Sequence, residues 1–154
     1  MTPELVEYQE YLQHIRIPLR LSCKTASGWP VVLSLWYLYE DGALYCATKG
    51  SARVVEHLMN DPRCAFEIAG DTPPYCGVRG QARAVIEPAK GGEILRKLLQ
   101  RYQGGTETEL AQKLLENPDA EVAIRLEPVN LFQWDFSKRM QPLGPEQVNP
   151  GVCP

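Results

Sequence analysis

The stretch from Val31 to Leu58, VVLSLWYLYEDGALYCATKGSARVVEHL, decides how the rest of the chain is read. Val31 to Tyr39 is almost wholly apolar. Such a run predicts a strand covered on both faces, since a half-exposed strand would alternate. Asp41-Gly42 follows, and a dipeptide whose two positions both tolerate positive φ predicts a two-residue hairpin turn. Ala43 to Ala47 then returns antiparallel to its predecessor. The next residues, Thr48-Lys49-Gly50-Ser51-Ala52-Arg53, gather two cations, two hydroxyls and a glycine. They lead into a helix over Ala52 to Asn60 with Ser51 as its N-cap. Exposed amides at a helix start, flanked by cations, suit a phosphate or another anion.

Upstream, Pro3 to Gln13 has the capping residue, first-turn proline and apolar spacing of a helix. Leu19 to Thr25 has strand composition, turned by Ala26-Ser27-Gly28, and Pro30 sits where a strand tolerates a missing N–H. Downstream, Asp61-Pro62 stops the helix, and Cys64 to Ala69 alternates as a strand. Tyr75 to Glu87 reads as a long strand whose Gly77 and Gly80 allow a bulge or a close approach. Helices are predicted over Lys90 to Tyr102 and Thr106 to Glu116. Ala120 to Leu126 and Val129 to Phe136 are strand-like, with Glu127-Pro128 either ending or bulging the run between them. Residues 1–141 therefore read as one domain. Residues 142–154, with four prolines and two glycines, read as an extended tail. About six strands at hairpin spacing, with helices only between the later ones, predict a mainly β fold with flanking helices. The expected form is a six-stranded antiparallel barrel, closed or nearly so, with an open sandwich as the alternative.

The 154 residues are 44% hydrophobic and 23% charged, ordinary for a soluble domain. Lys+Arg 16 against Asp+Glu 19 leaves a formal charge of -3, so no basic field favours nucleic acid or anionic lipid. Apolar runs fall far short of the roughly 20 residues of a membrane span. The start, Met1-Thr2-Pro3-Glu4, lacks the basic and apolar segments of a secretion signal, and the expected location is cytoplasmic. Cys23, Cys46, Cys64, Cys76 and Cys153 never form C-x-x-C and are expected as small buried or half-buried thiols. With only His14 and His57 beside them, no metal site is expected.

No G-x-S-x-G, H-E-x-x-H or P-loop motif is present, and no catalytic residue stands out. The ordered features that remain are specific as a set. VVLSLWYLYEDGALYCATKGSARVVEHLMNDPRCAFEI, followed by GVRGQARAVIE, carries a hairpin with x-D-G-x at its tip, an A-T-x-x-S-x-[KR] loop, a helix ending in D-P-R and a G-x-[AG]-x-[AV] strand. From about Leu19 to Glu87, and again at Trp134-Asp135-Phe136-Ser137-Lys138, the chain resembles the FMN-binding split barrels related to pyridoxamine 5'-phosphate oxidase.

That resemblance implies a homodimer with a flavin in each of two clefts between protomers. It implies that Val32, Leu33, Ser34, Leu35 and Trp36 run along the flavin ring and ribityl chain, and that Thr48, Lys49, Ser51 and Arg53 hold the phosphate. Tyr75, or a near neighbour, would approach from later strands, and Trp134 from the second subunit. Trp36 and Trp134 read equally well as packing residues. The activity implied is an FMN-dependent oxidoreductase acting on a small molecule. Relatives that use a deazaflavin coenzyme or haem supply alternative ligands, and a non-catalytic flavin-binding module is an alternative role. A proline-rich end stands where the true pyridoxamine phosphate oxidases carry a substrate-gripping arginine segment, so the namesake substrate is not expected.

Overall fold

The computed structural model describes residues 3–140, with side chains from residue 8 onward, so the predicted tail lies outside the described residues. Helix α1 spans Pro3–His14. Strands β1 (Leu19–Lys24) and β2 (Pro30–Leu35) form one hairpin. Strands β3 (Leu38–Glu40) and β4 (Ala43–Lys49) form a second. Then come α2 (Arg53–Asn60), β5 (Arg63–Ala69), β6 (Cys76–Glu87), α3 (Gly91–Gln103), α4 (Glu109–Leu114) and β7 (Glu121–Asp135). The strands make one antiparallel sheet in the order β2-β1-β5-β6-β7-β4-β3.

Seven strands replace the six expected because the apolar run from Val31 to Tyr39 is not one strand. It breaks at Trp36-Tyr37, and its halves pair at opposite edges of the sheet, β2 with β1 and β3 with β4. Six inter-strand steps would separate those edges by about 29 Å in a flat sheet. The three peptide steps from Leu35 to Leu38 reach only about 11 Å. The sheet must therefore roll until its edges meet, which makes a barrel from an open strand order. The expected cover on both faces of β2 is also corrected: exposed and half-buried residues alternate along it, so only one face is covered.

The Asp41-Gly42 turn has the expected geometry, with positive φ at both residues, 51° and 78°. Of the two readings of Glu127-Pro128 the bulge holds: Glu121–Asp135 is one 15-residue strand, β7, whose pairing with β6 shifts register between Gln81 and Ala82, opposite Pro128 and Asn130. Gly80 sits beside that irregularity because a Cβ there would lie 2.3 Å from the Asn130 carbonyl oxygen and 3.0 Å from the Phe66 ring. Helix α4 is shorter than predicted, starting where the Thr108 hydroxyl accepts from the Ala111 amide at 3.1 Å.

Leu21, Tyr37, Leu44, Phe66, Ile68, Val78, Ile124 and Leu126 fill the barrel interior, closed on its flank by Leu12 of α1 and by Val54, Val55 and Leu58 of α2. Helix α3 packs outside, setting Ile94 and Leu98 against Ala123 and Leu38. Cys23, Cys46 and Cys64 are free buried thiols, and burial pushes Cys46 and Cys64 up to about 12. Cys76 departs from the expected pattern and is disulfide-bonded.

The crossing at Trp36-Tyr37 is bracketed on both sides. Trp36 stacks on Tyr102 of α3 with centroids 5.0 Å apart and planes within 5°. The buried Tyr37 hydroxyl donates to the Leu12 carbonyl at 2.9 Å. Arg101 lies over the Tyr37 and Tyr102 rings and donates to the carbonyls of Leu12, Gln13 and Ile15 at the end of α1. The guanidinium thus satisfies carbonyls that a helix end leaves without partners. Arg101→Ala should lower the unfolding free energy by about 2–3 kcal/mol, and Tyr37→Phe by about 1 kcal/mol. Urea denaturation checks both, and unchanged midpoints would show that the crossing is held by packing alone.

Candidate anion-binding cavity

Rolling the sheet brings the start of β2, the end of β4 and the start of α2 around one cavity of about 820 Å³. Val31 and Leu33 come from β2, Thr48 from β4, and Ala52, Arg53, Val54 and His57 from α2. The turn between β1 and β2 adds Thr25, Ser27 and Trp29. Helix α2 is held in place by burial of Val54, Val55 and Leu58. At its far end the Asp61 carboxylate accepts from Arg63 Nε and Nη2 at 2.9 and 2.7 Å and lies 3.1 Å from Lys24 Nζ. Hydrogen bonds from Arg63 hold that carboxyl well below the usual carboxylate range.

The start of α2 differs from the expected capping. Ala52, not Ser51, is the N-cap residue, and no side chain caps it. The loop amides are partly spent, with Gly50 N–H donating to Ala120 O at 2.8 Å and Ala52 N–H to Lys49 O at 2.9 Å. Val55 N–H donates to Ala52 O at 3.0 Å, so what remains for an anion is the Arg53 and Val54 N–H groups at the uncapped start of α2, together with the Arg53 guanidinium. Among the described residues Arg53 makes no ion pair.

Strand alternation separates the other candidates. Thr48 shares the inward face of β4 with Leu44 and Cys46 and reaches the cavity, whereas Lys49 lies on the face of Tyr45 and Ala47, under α3. Lys49 pairs in register with Glu121 and is exposed, as is Ser51 in the turn. Leu33 reaches the cavity, while Leu35 packs on the barrel core and Trp36 on Tyr102. Val32 and Ser34 point outward, where the Ser34 hydroxyl accepts from Arg20 Nη1 at 2.9 Å.

Val32 belongs to a second hollow, of about 670 Å³, on the outer sheet face. Arg20, Glu67, Arg79, Gln81, Asn130 and Phe132 line it as well. Gln81 and Asn130 are tied reciprocally: Gln81 N–H donates to Asn130 Oδ1 at 2.8 Å, and Asn130 Nδ2 to Gln81 Oε1 at 2.7 Å. Trp134 lies two residues beyond Phe132 on the same face, 5.0 Å from the Phe136 ring, and its buried indole N–H has no acceptor among the described residues. Tyr75 is exposed just before β6, and its carbonyl accepts from Phe136 N–H at 2.9 Å. The candidates thus fall on two surfaces. Leu33, Thr48 and Arg53 share the cavity, and Val32, Ser34 and Trp134 share the outer face.

Trp29 and His57 were missed by the sequence reading. His57 stands four residues after Arg53, so helical spacing alone puts both on one face. Trp29 sits in a turn between Gly28 and Pro30, where no periodicity marks it. The donor set of the cavity, one guanidinium, the Thr48 hydroxyl and the free amides at the start of α2, fits a phosphate monoester or diester. Apolar Val31 and Leu33 beside it fit the uncharged body of the same ligand. Among the described residues no group of three or more His, Cys, Asp or Glu is placed to hold a metal ion. No described helix is long and apolar enough to cross a membrane.

Solved structures share this fold. A conserved hypothetical protein from Mycobacterium tuberculosis superposes with a TM-score of 0.74 at 23% identity, over 99% of this chain and 95% of that one. An F420 reductase gives 0.69 at 20% identity, over 81% and 95%. A putative pyridoxamine 5'-phosphate oxidase from Listeria innocua gives 0.60 at 14% identity, over 84% and 94%. A haem storage protein and an FAD-binding protein have the same fold. No protein-family model matches the sequence, and no curated protein is significantly similar to it. The expected likeness to split barrels related to pyridoxamine 5'-phosphate oxidase therefore holds at the level of fold.

Glu121, opposite Lys49, is only 6% exposed, and burial raises its carboxyl above the ordinary value of 4.5, with the Lys49 charge pulling it partly back. A raised folded-state value means that the protonated form is favoured. The stability it gives is full below the ordinary carboxylate value and is lost as pH rises through the folded one. Glu121→Gln should therefore raise the melting temperature at pH 7 and leave it nearly unchanged at pH 4. Thermal melts at both values check this, and a destabilised variant at pH 7 would contradict it.

Proposed function

We propose that this chain is a homodimeric flavoprotein that anchors a flavin by its phosphate and uses it as an oxidoreductase acting on a small molecule. The observation that carries the proposal is the meeting of Thr48, Arg53 and Leu33, from three separate elements, around one cavity at an uncapped helix start. Bound there, FMN would supply the hydride or electron chemistry. The chain's own groups bind and orient. Arg53 and the first-turn amides of α2 neutralise the phosphate, Thr48 donates a hydroxyl, and Val31 and Leu33 exclude water from the adjoining chain.

A second protomer is expected on the outer face, where Val32 and Phe132 are 66% and 58% exposed beside Arg20, Glu67 and Arg79. The mixture of apolar side chains with both signs of charge suits a self-complementary contact. There Trp134 would bring its unpaired indole N–H to the cleft between subunits.

The fold shared with an F420 reductase favours a deazaflavin coenzyme as the second reading, since the same anchor would take that coenzyme's phosphate. Its longer anionic tail calls for further cations, however, and Arg53 is the one Lys or Arg lining the cavity among the described residues. Haem has less support. Of the two imidazoles only His57 lines the cavity, and His14 Nδ1 lies 2.8 Å from the Glu10 carbonyl oxygen.

The absorption spectrum of the purified protein distinguishes these ligands. Twin flavin bands support FMN, a single near-violet band a deazaflavin, and a sharp Soret band haem. Bleaching by a nicotinamide donor then supports an oxidoreductase over a non-catalytic binding module. Arg53→Ala should weaken FMN binding by at least tenfold, the order expected for one charge-assisted contact. Lys49→Ala should change it less than threefold. Fluorescence titration reads both, and equal losses would contradict the division between the two faces of β4. Phe132→Glu should convert dimers to monomers in light scattering and release the flavin. Dimers that persist with flavin retained would place the contact elsewhere.

A further inference from the structure

The cavity does not end at its phosphate anchor. Of the positions expected along the flavin only Leu33 lines the cavity, which extends from there along β2 through Val31 to the turn carrying Trp29. From Leu33 to Trp29 the strand covers about 13 Å. Trp29 is 76% exposed, yet its backbone is fixed. Thr25 N–H and the Thr25 hydroxyl both donate to the Trp29 carbonyl, at 2.9 and 3.1 Å, and Gly28 N–H donates to Thr25 O at 2.9 Å. Gly28 has φ of 87°, which closes the turn at a position that favours glycine. The backbone beneath this indole is thus fixed, and the largely exposed residue lines a cavity that also contains a guanidinium. An indole so exposed is costly to leave in water and well suited to stack on a planar ring.

Resting on the flavin reading above, we propose that Trp29 is a stacking wall for a second planar heteroaromatic group joined to the anchored phosphate. The ligand class is a flavin dinucleotide, with its adenine on Trp29, its pyrophosphate at Arg53 and the α2 start, and its flavin at the Leu33 end of the cavity. The Ser27 hydroxyl oxygen at the same end is placed to accept from a ribose hydroxyl. One permanent cation with the Thr48 hydroxyl and the two free amides at the start of α2 suits a pyrophosphate diester, whose charge is spread over two groups.

Calorimetric titration of the full chain with FMN, FAD and AMP tests this, in the wild type and in Trp29→Ala and Trp29→Phe. The wild type should bind FAD about tenfold more tightly than FMN, in line with base-on-aromatic stacking, and AMP should compete with FAD. Trp29→Ala should bring the FAD-to-FMN ratio toward one, and Trp29→Phe should keep most of it. Equal FMN and FAD affinities in the wild type, or a ratio that survives Trp29→Ala, would overturn the stacking role while leaving a flavin site standing. Failure of both flavins to bind the wild type would overturn the flavin reading and the stacking role with it.

Discussion

Two residues carry the chain from one edge of the sheet to the other. Trp36 and Tyr37 span a gap that a flat seven-stranded sheet would make nearly three times too wide. Closure is therefore imposed by covalent connection, before any side chain is counted. The side chains then make the crossing rigid: Trp36 against Tyr102, Tyr37 on the end of α1, and Arg101 across both. Because β2 and β4 are brought to one end of the barrel by the same roll, the candidate cavity is a consequence of closure. Loosening the bracket would splay the walls that carry Leu33 and Thr48.

The chemistry of the cavity depends on a finer constraint, the two-residue period of a strand. Thr48 and Lys49 are adjacent in sequence and lie on opposite faces of β4. One joins Arg53, and the other stands beside the buried Glu121 under α3. The anchor is consequently less cationic than the loop sequence suggests, with one guanidinium, the Thr48 hydroxyl and a helix start. Under the proposed reading, such a site would recognise phosphate by hydrogen-bond direction as much as by charge.

Much of this was legible in the sequence, for identifiable reasons. Asp41-Gly42 needs a turn that few other dipeptides accept, and it fixed the β3–β4 hairpin. Arg53 four residues before His57, with Val54, Val55 and Leu58 between and beyond, marks a helix face. The break at Trp36-Tyr37 was not legible, because an apolar run looks the same whether it is one doubly covered strand or two edge strands joined at a corner. The fate of Lys49 was also hidden, since alternation becomes informative only once the inward phase of β4 is known. Ser51 looks like a cap in the sequence, but Ala52 takes that position and no side chain caps the helix. Trp29 carries no periodic signal at all, and only the fold reveals that its turn faces the anchor.

The phosphate contact is the central claim, and removing the phosphate tests it most directly. Calorimetric titration of the wild-type protein with riboflavin and with FMN compares ligands that differ in that group alone. The account predicts that FMN binds at least tenfold more tightly. Equal affinities would contradict it, because a flavin held by its ring alone has no use for Arg53 or the start of α2.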